Sequence, residues 1–300
     1  MGLTRRQLLA STGGGAILGA ASYDAVVGDQ AGPSTASTAV DATAGETTTA
    51  AIAAADVDVF LIGGQSNATG HGNSEESPQP PPGTAFEYVP HGGLEPLADP
   101  VGEARSGSAW PAFAERYWTT SGRHAVYVPA SIGGTSVHPA ANDNWWSQSG
   151  LLLYRAIGRL RSAIVNLKLA EITPNFGGML WHQGETDAGA IDNEIIDPVD
   201  FRQAFETMIA RYRQEVDDPQ APFYLFQLGR RSDGDTAGFQ HVRRIQREVA
   251  ASDPNAWLVF DDAVSFPESG KMGDRLHYNQ DGLNEMGTGG GQRVAEIQGE

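Results

Sequence analysis

Apolar residues fall along this chain in short, nearly continuous runs, separated by longer stretches in which they recur every third or fourth position. Val57 to Ile62 is β-branched at three of its six positions and is stopped by Gly63-Gly64. That is the pattern of a strand buried on both faces in the middle of a parallel sheet. His124 to Ala130, Phe176 to Trp181, Phe223 to Phe226 and Trp257 to Phe260 read the same way. Between them lie helical patterns. Pro111 to Trp118 has proline in its first turn and ends at Ser121-Gly122. Leu151 to Leu169 sets Leu153, Ile157, Leu160, Ile164 and Leu167 on one face, with arginines on the other. Phe201 to Val216 and Phe239 to Ala251 follow, and a final helix is expected over Gln292 to Ile297. The Pro-rich, acidic stretch Gly72 to Pro100, with Pro80-Pro81-Pro82, is expected to be a surface loop. Strands alternating with helices predict one parallel α/β domain over residues 56–300 with right-handed crossovers, because parallel neighbours need a long connection. No internal repeat is visible.

The N-terminal residues do not share this pattern. Residues 1–28 open with Thr4-Arg5-Arg6-Gln7-Leu8-Leu9 and continue through a weakly apolar, glycine-rich stretch to Ala20-Ala21. This resembles a twin-arginine export signal, and it is too short and glycine-rich for a stable membrane span. Residues 29–55 are mostly Ala, Thr, Ser and Gly, and read as a flexible linker. Cleavage would leave a mobile tail; retention would leave the domain tethered to a membrane.

Composition narrows the chemistry. Without cysteine, the chain has no disulfides, thiolate metal sites or cysteine nucleophile. It carries 37 acidic against 20 basic residues, a net charge of -17, and its only lysines are Lys168 and Lys271. Nucleic acid and anionic membranes are therefore disfavoured as partners. Such a dispersed acidic surface resembles proteins of salt-loving microbes, where salt screens the self-repulsion; an ordinary acidic protein is the alternative. His71 and His138 have no metal-type cluster around them, and no metal or other cofactor is expected.

Ligand and catalytic groups collect where parallel strands end. Ser66 stands just past Gly63-Gly64, where the backbone can turn sharply, and is the candidate nucleophile; a plain Gly-Ser turn is the alternative for this stretch alone. A serine hydroxyl needs a base, and imidazole serves near neutral pH when a carboxylate fixes its tautomer. Asp274 and His277, three residues apart, can supply that pair.

Four blocks occur in order: Gly63-Gly64-Gln65-Ser66-Asn67; Ile132-Gly133-Gly134-Thr135-Ser136; Trp181-His182-Gln183-Gly184-Glu185-Thr186-Asp187; and Asp274-Arg275-Leu276-His277-Tyr278-Asn279. Together they resemble the SGNH (GDSL-type) hydrolases. Their wording is similar to the carbohydrate-esterase branch with sialate O-acetylesterase-like and acetylxylan esterase members. The resemblance spans residues 56–298. It implies a single-domain three-layer α/β/α sandwich, flavodoxin-like, with a mostly parallel central sheet. It also implies a cofactor-free serine esterase acting on acetylated carbohydrate, with Ser66 as nucleophile, His277 as base and acid, and Asp274 as the orienting carboxylate. The oxyanion hole would use the N–H groups of Ser66 and of Gly133 or Gly134, with the side-chain amide of Gln183. Two positions depart from the branch, Ala68 in place of methionine and His182 in place of an aromatic.

Gln65, Asn67, Glu185 and Trp146 are candidates for supporting or substrate contacts. Glu185 could orient a histidine or the Gln183 loop, or simply anchor a loop end. Asp187 reads as structural. The Trp145-Trp146 pair could stack on a sugar or line the core. The rival readings are an esterase for other short-chain esters and a carbohydrate-binding module that kept the fold without turnover.

Overall fold

The computed structural model describes residues 56–90 and 93–300, so the expected signal region 1–28 and the linker 29–55 lie outside the described residues. Strand β1 (Val57–Gly64) has the double-sided burial its composition demands. Val57, Val59 and Leu61 enter one core, and Phe60 and Ile62 enter the other. It lies centrally in a seven-stranded sheet, hydrogen-bonded in parallel to β4 (His124–Pro129) on one side and β5 (Pro174–His182) on the other. β2 (Ala85–Val89) continues the sheet beyond β4, and β3 (Gly93–Pro96) pairs antiparallel with β2 at that edge. β6 (Phe223–Phe226) and β7 (Ala256–Phe260) extend the other side in parallel. The chain thus leaves β1 toward one half of the sheet and returns to build the other. The crevice where strand order reverses, at the carboxyl ends of β1, β4 and β5, is where open parallel sheets bind ligands.

Helices cover both faces, giving the three-layer sandwich. The core holding Val59 and Leu61 is closed by α3 (Leu151–Leu169), α5 (Pro198–Glu215) and α6 (Ala237–Ser252), through Leu153, Ile157, Phe205, Met208 and Val242. Opposite, α2 (Trp110–Ser121) and α7 (Gln280–Gly299) pack on Phe60 and Ile62. Phe60 sits among Phe113, Tyr117 and Tyr127, with ring centroids 5.9, 5.1 and 5.8 Å away. Truncating such a side chain typically costs ~3–5 kcal/mol. Asp58, the polar interruption of β1, is fully buried at its start. Its carboxylate accepts two 2.5 Å bonds from Arg123, one of 2.7 Å from Asn175 and one of 2.5 Å from Tyr117, so the buried charge is paired.

Five elements differ from the sequence expectation. Gly72 to Pro100 contains the β2–β3 hairpin, because Ala85 to Val89 lies beyond the proline run and finds a free edge on β4. The short helices α1 (Ser66–Thr69) and α4 (Glu185–Asp192) open directly from two of the motif turns. The last helix begins at Gln280 rather than Gln292. Its glycines are unfavourable helix formers, yet a Cβ at Gly287 would lie 2.1 Å from the Ala109 carbonyl, and one at Gly291 would lie 2.4 Å from that of Phe113. Close packing of α7 on α2 therefore outweighs the propensity cost, about 1 kcal/mol per glycine. Among the described residues no helix is long and apolar enough to cross a membrane.

Candidate active site

The site is built at the carboxyl end of β1. Gly64 has φ +126°, and a Cβ there would come within 2.0 Å of the His182 carbonyl oxygen. Only glycine lets the chain leave the sheet this close to β5. The turn delivers Ser66 to the start of α1, 5 % exposed. A loop beyond the 3-10 turn Asp262–Ser265, which follows β7, carries Asp274 and His277 back over this point. The Ser66 hydroxyl donates to His277 Nε2 at 3.0 Å, and His277 Nδ1 donates to Asp274 Oδ2 at 2.7 Å. Asp274 Oδ1 also accepts the N–H groups of Leu276 and His277, each at 2.7 Å. Partial burial works against the charged carboxyl, but those N–H groups and the imidazole hold it down at about 2. An ionised Asp274 fixes the proton on Nδ1 and leaves the Nε2 lone pair for Ser66. A hydroxyl, an imidazole and a carboxylate in series can carry out nucleophilic acyl transfer.

Backbone donors lie beside the hydroxyl. A Cβ at Gly133 would be 3.8 Å from Ser66 Cβ, whereas one at Gly134 would have no neighbour within 4 Å. Gly133 is thus the member of the pair that flanks the nucleophile. Among the described residues, no protein acceptor takes the N–H of Ser66 or Gly133. Gln183 has a different place from the one expected. Its amide nitrogen faces three acceptors, Gln65 Oε1 at 3.1 Å, the Thr135 carbonyl at 3.1 Å and Asp187 Oδ2 at 2.7 Å. Both amide hydrogens are committed to these partners, and Gln183 offers no free N–H to an oxyanion.

The neighbours singled out in the sequence divide by what they hold. Asn67 clamps the two halves of the site together: its Nδ2 donates to Glu185 Oε1 at 2.7 Å and to the Leu276 carbonyl at 3.2 Å, while its Oδ1 accepts the Tyr278 N–H at 3.1 Å. Glu185 orients Asn67 rather than a histidine, since His182 Nε2 stands 3.8 Å from it, beyond hydrogen-bond range. Gln65 Oε1 receives Gln183 and the Thr186 N–H, tying the nucleophile turn to α4. Trp146 is fully buried, donates to Thr135 Oγ1 at 3.0 Å and packs edge-on against Trp181. It is core wall under the Gly133 loop and presents no face to a sugar.

Asp187 does more than the sequence suggested. Fully buried, it accepts the N–H groups of Val137 at 2.9 Å and His138 at 2.8 Å as well as the Gln183 amide. One carboxylate therefore anchors the loop that carries Gly133. Burial pushes its carboxyl up to about 6, against the pull of those three donors. Its spacing of four from Gln183 on a helix start was the available sequence signal. His71, weighed in the sequence only as a metal ligand, takes another place: its ring lies parallel to that of His277, 4° apart in plane and 4.2 Å between centroids.

Residues 56–296 match the family described as carbohydrate esterase, sialic acid-specific acetylesterase. No curated protein sequence matches the chain. Among solved structures, an Arabidopsis thaliana protein is similar with a TM-score of 0.61 at 17% identity, covering 80% of this chain and 98% of that one. NanS is similar at 0.58 and 13% identity, covering 81% of this chain and 98% of its own. A carbohydrate acetylesterase from Xanthomonas citri is similar at 0.53 and 20% identity, covering 81% of this chain and 57% of that one. At these identities the structures share the fold, and it is the family match over nearly the whole described domain that classifies the chain. With its four blocks gathered at one end of a parallel sheet, the chain belongs to the carbohydrate esterase, sialic acid-specific acetylesterase family, within the SGNH carboxylic ester hydrolases.

Proposed function

We propose that this protein removes O-acetyl groups from carbohydrate through an acetyl-enzyme on Ser66. The observation that carries the reading is the continuous chain from Ser66 Oγ through His277 to Asp274, at 3.0 and 2.7 Å. His277 Nε2 takes the hydroxyl proton as Ser66 Oγ bonds to the acetyl carbonyl carbon. The negative charge on the carbonyl oxygen would be met by the N–H groups of Ser66 and Gly133, the latter residue lying beside the Ser66 side chain. The imidazolium then protonates the departing sugar hydroxyl. Water, deprotonated by the same nitrogen, releases acetate and restores the serine. The Arg5-Arg6 pair ahead of a glycine-rich, weakly apolar stretch and the net charge of -17 further support a protein sent out by the twin-arginine route and working in salt.

The test is acetate release from O-acetylated sialic acid, acetylated xylan and an aryl acetate, by the protein and its Ser66→Ala variant. Release from a sugar ester that vanishes in the variant is expected. Turnover of the aryl ester alone would point to other short-chain esters. No Ser66-dependent release by folded protein, together with binding of the sugar, would replace the esterase by a binding module.

A further inference from the structure

We propose that His71 is a positioning residue for this reaction: a neutral imidazole that forms a π platform under His277, fixing its plane and favouring the imidazolium formed during turnover. The inference rests on the reading of His277 as general base. The stack is nearly perfect in alignment, with planes 4° apart and centroids 4.2 Å apart. It is also held in place from both sides. The Gly70 carbonyl accepts the Arg105 N–H at 3.1 Å, the Gly72 N–H donates to Gly107 at 2.9 Å, and the Asn73 N–H donates to Gln280 Oε1 at 3.0 Å. The backbone on either side of His71 is thus pinned to the segment before α2 and to the first turn of α7. Among the described residues the His71 ring makes no hydrogen bond of its own, so contact with His277 is what this placement achieves.

A neutral aromatic face stabilises a cation held over it, whereas a second imidazolium in the same place would repel it. The charged and titratable groups facing His71 are His277 and Asp274 from the returning loop and Arg105 from the segment before α2. Covering of the stacked face, His277 and Arg105 all disfavour a proton on His71, and Asp274 favours one; the balance lowers its pKa from the ordinary histidine value. His71 is therefore kept neutral where the reaction needs a neutral ring. The exposed position means that substitution removes little from the core.

His71→Phe keeps an aromatic face without a titratable group, and His71→Ala removes the face. With an aryl acetate at pH 8, His71→Ala is expected to lose about threefold to tenfold in kcat with KM unchanged, and His71→Phe to keep the parent kcat. As pH falls, His71→Phe should gain on the parent, because no second imidazolium can form beside His277. A parent kcat in His71→Ala would overturn the proposal, as would a His71→Phe as poor as His71→Ala or a rise in KM in both. The Ser66→Ala blank reads the esterase assignment separately. Imidazole NMR titration tests the stack without substrate: the His277 midpoint should lie about 0.5–1 pH unit higher in His71→Phe than in His71→Ala. Equal midpoints would refute it.

Discussion

Replacing Asp187 by asparagine separates stability from activity in a way that follows from its surroundings. Asparagine is isosteric with the protonated acid, and the folded protein holds that proton more tightly than the unfolded chain, since burial lifts the carboxyl from 3.8 to about 6. For a carboxyl with a raised folded pKa, stability is full below the unfolded value and is lost as pH rises through the folded one. The parent should therefore lose about 3 kcal/mol from this group between pH 4 and pH 7. Asp187→Asn carries no such loss. With an acceptor lost it should melt below the parent at pH 4, and it should gain several degrees relative to the parent between pH 4 and pH 8. Catalysis should move the other way. Oδ2 serves both Val137 N–H and the Gln183 amide, and Oδ1 serves His138 N–H, so an amide places a donor against a donor on one side or the other. The loop bearing Gly133 is released, and one oxyanion donor is typically worth ~10²–10³ in kcat. With the loop loosened rather than removed, a loss of about tenfold to hundredfold is expected at pH 8. Calorimetric melts across pH 4–8 and steady-state kinetics at pH 8 check both halves. A variant with kcat within about threefold of the parent, or one whose melting temperature tracks the parent's across pH 4–8, would refute the reasoning.

Other outcomes follow from the same geometry. Asp274→Asn should cut kcat by about 10³–10⁴ with KM unchanged, because the amide donates to Nδ1 and forces the proton onto Nε2; steady-state kinetics showing a loss under tenfold would mean that Asp274 does not set the tautomer. Since Asp274 titrates at about 2, the acid limb of the parent's kcat–pH profile should not be moved by this carboxyl above about pH 4. Burial, aided by Glu95 across the strand pair, pushes Glu87 up to about 7, so its stability contribution is lost between pH 4.5 and pH 7. Glu87→Gln should consequently melt higher than the parent at pH 8 and alongside it at pH 4; a lower melt at pH 8 would be contrary. Finally, the -17 charge predicts a melting temperature that climbs from low salt to molar KCl, and a flat or falling series would remove the salt-adapted reading.

The central strands were legible because burial on both faces leaves a mark in composition that needs no tertiary knowledge: Val57 to Ile62 and Phe223 to Phe226 could hardly be anything else. The elements that escaped are those whose stability comes from a partner. Ala85 to Val89 becomes a strand because β4 offers an edge, and the prolines before it conceal that. The glycines of α7 read as loop until their close approach to Ala109 and Phe113 is seen. In the site, the four ordered blocks together carried the reading, since the strand-end serine alone fits a plain turn and the short Asp274-to-His277 spacing alone is a weak signal. Gln183 shows the limit of carrying a role by motif, since whether an amide is free depends on Gln65, Thr135 and Asp187 together. His71 was visible in the sequence only as a metal-ligand candidate without a cluster, because stacking on a residue 206 positions away has no local pattern.

The hydrogen bond between Ser66 and His277 joins residues 211 positions apart, so almost the whole domain lies between the two atoms that must meet. A chain emerging from its N-terminus has its nucleophile first and its base nearly last. No fragment lacking the final thirty or so residues can assemble the site. Hydrolysis thereby becomes a report on completed folding. Ser66-dependent hydrolysis would then report that the described domain, and not merely its N-terminal half, has reached the native arrangement.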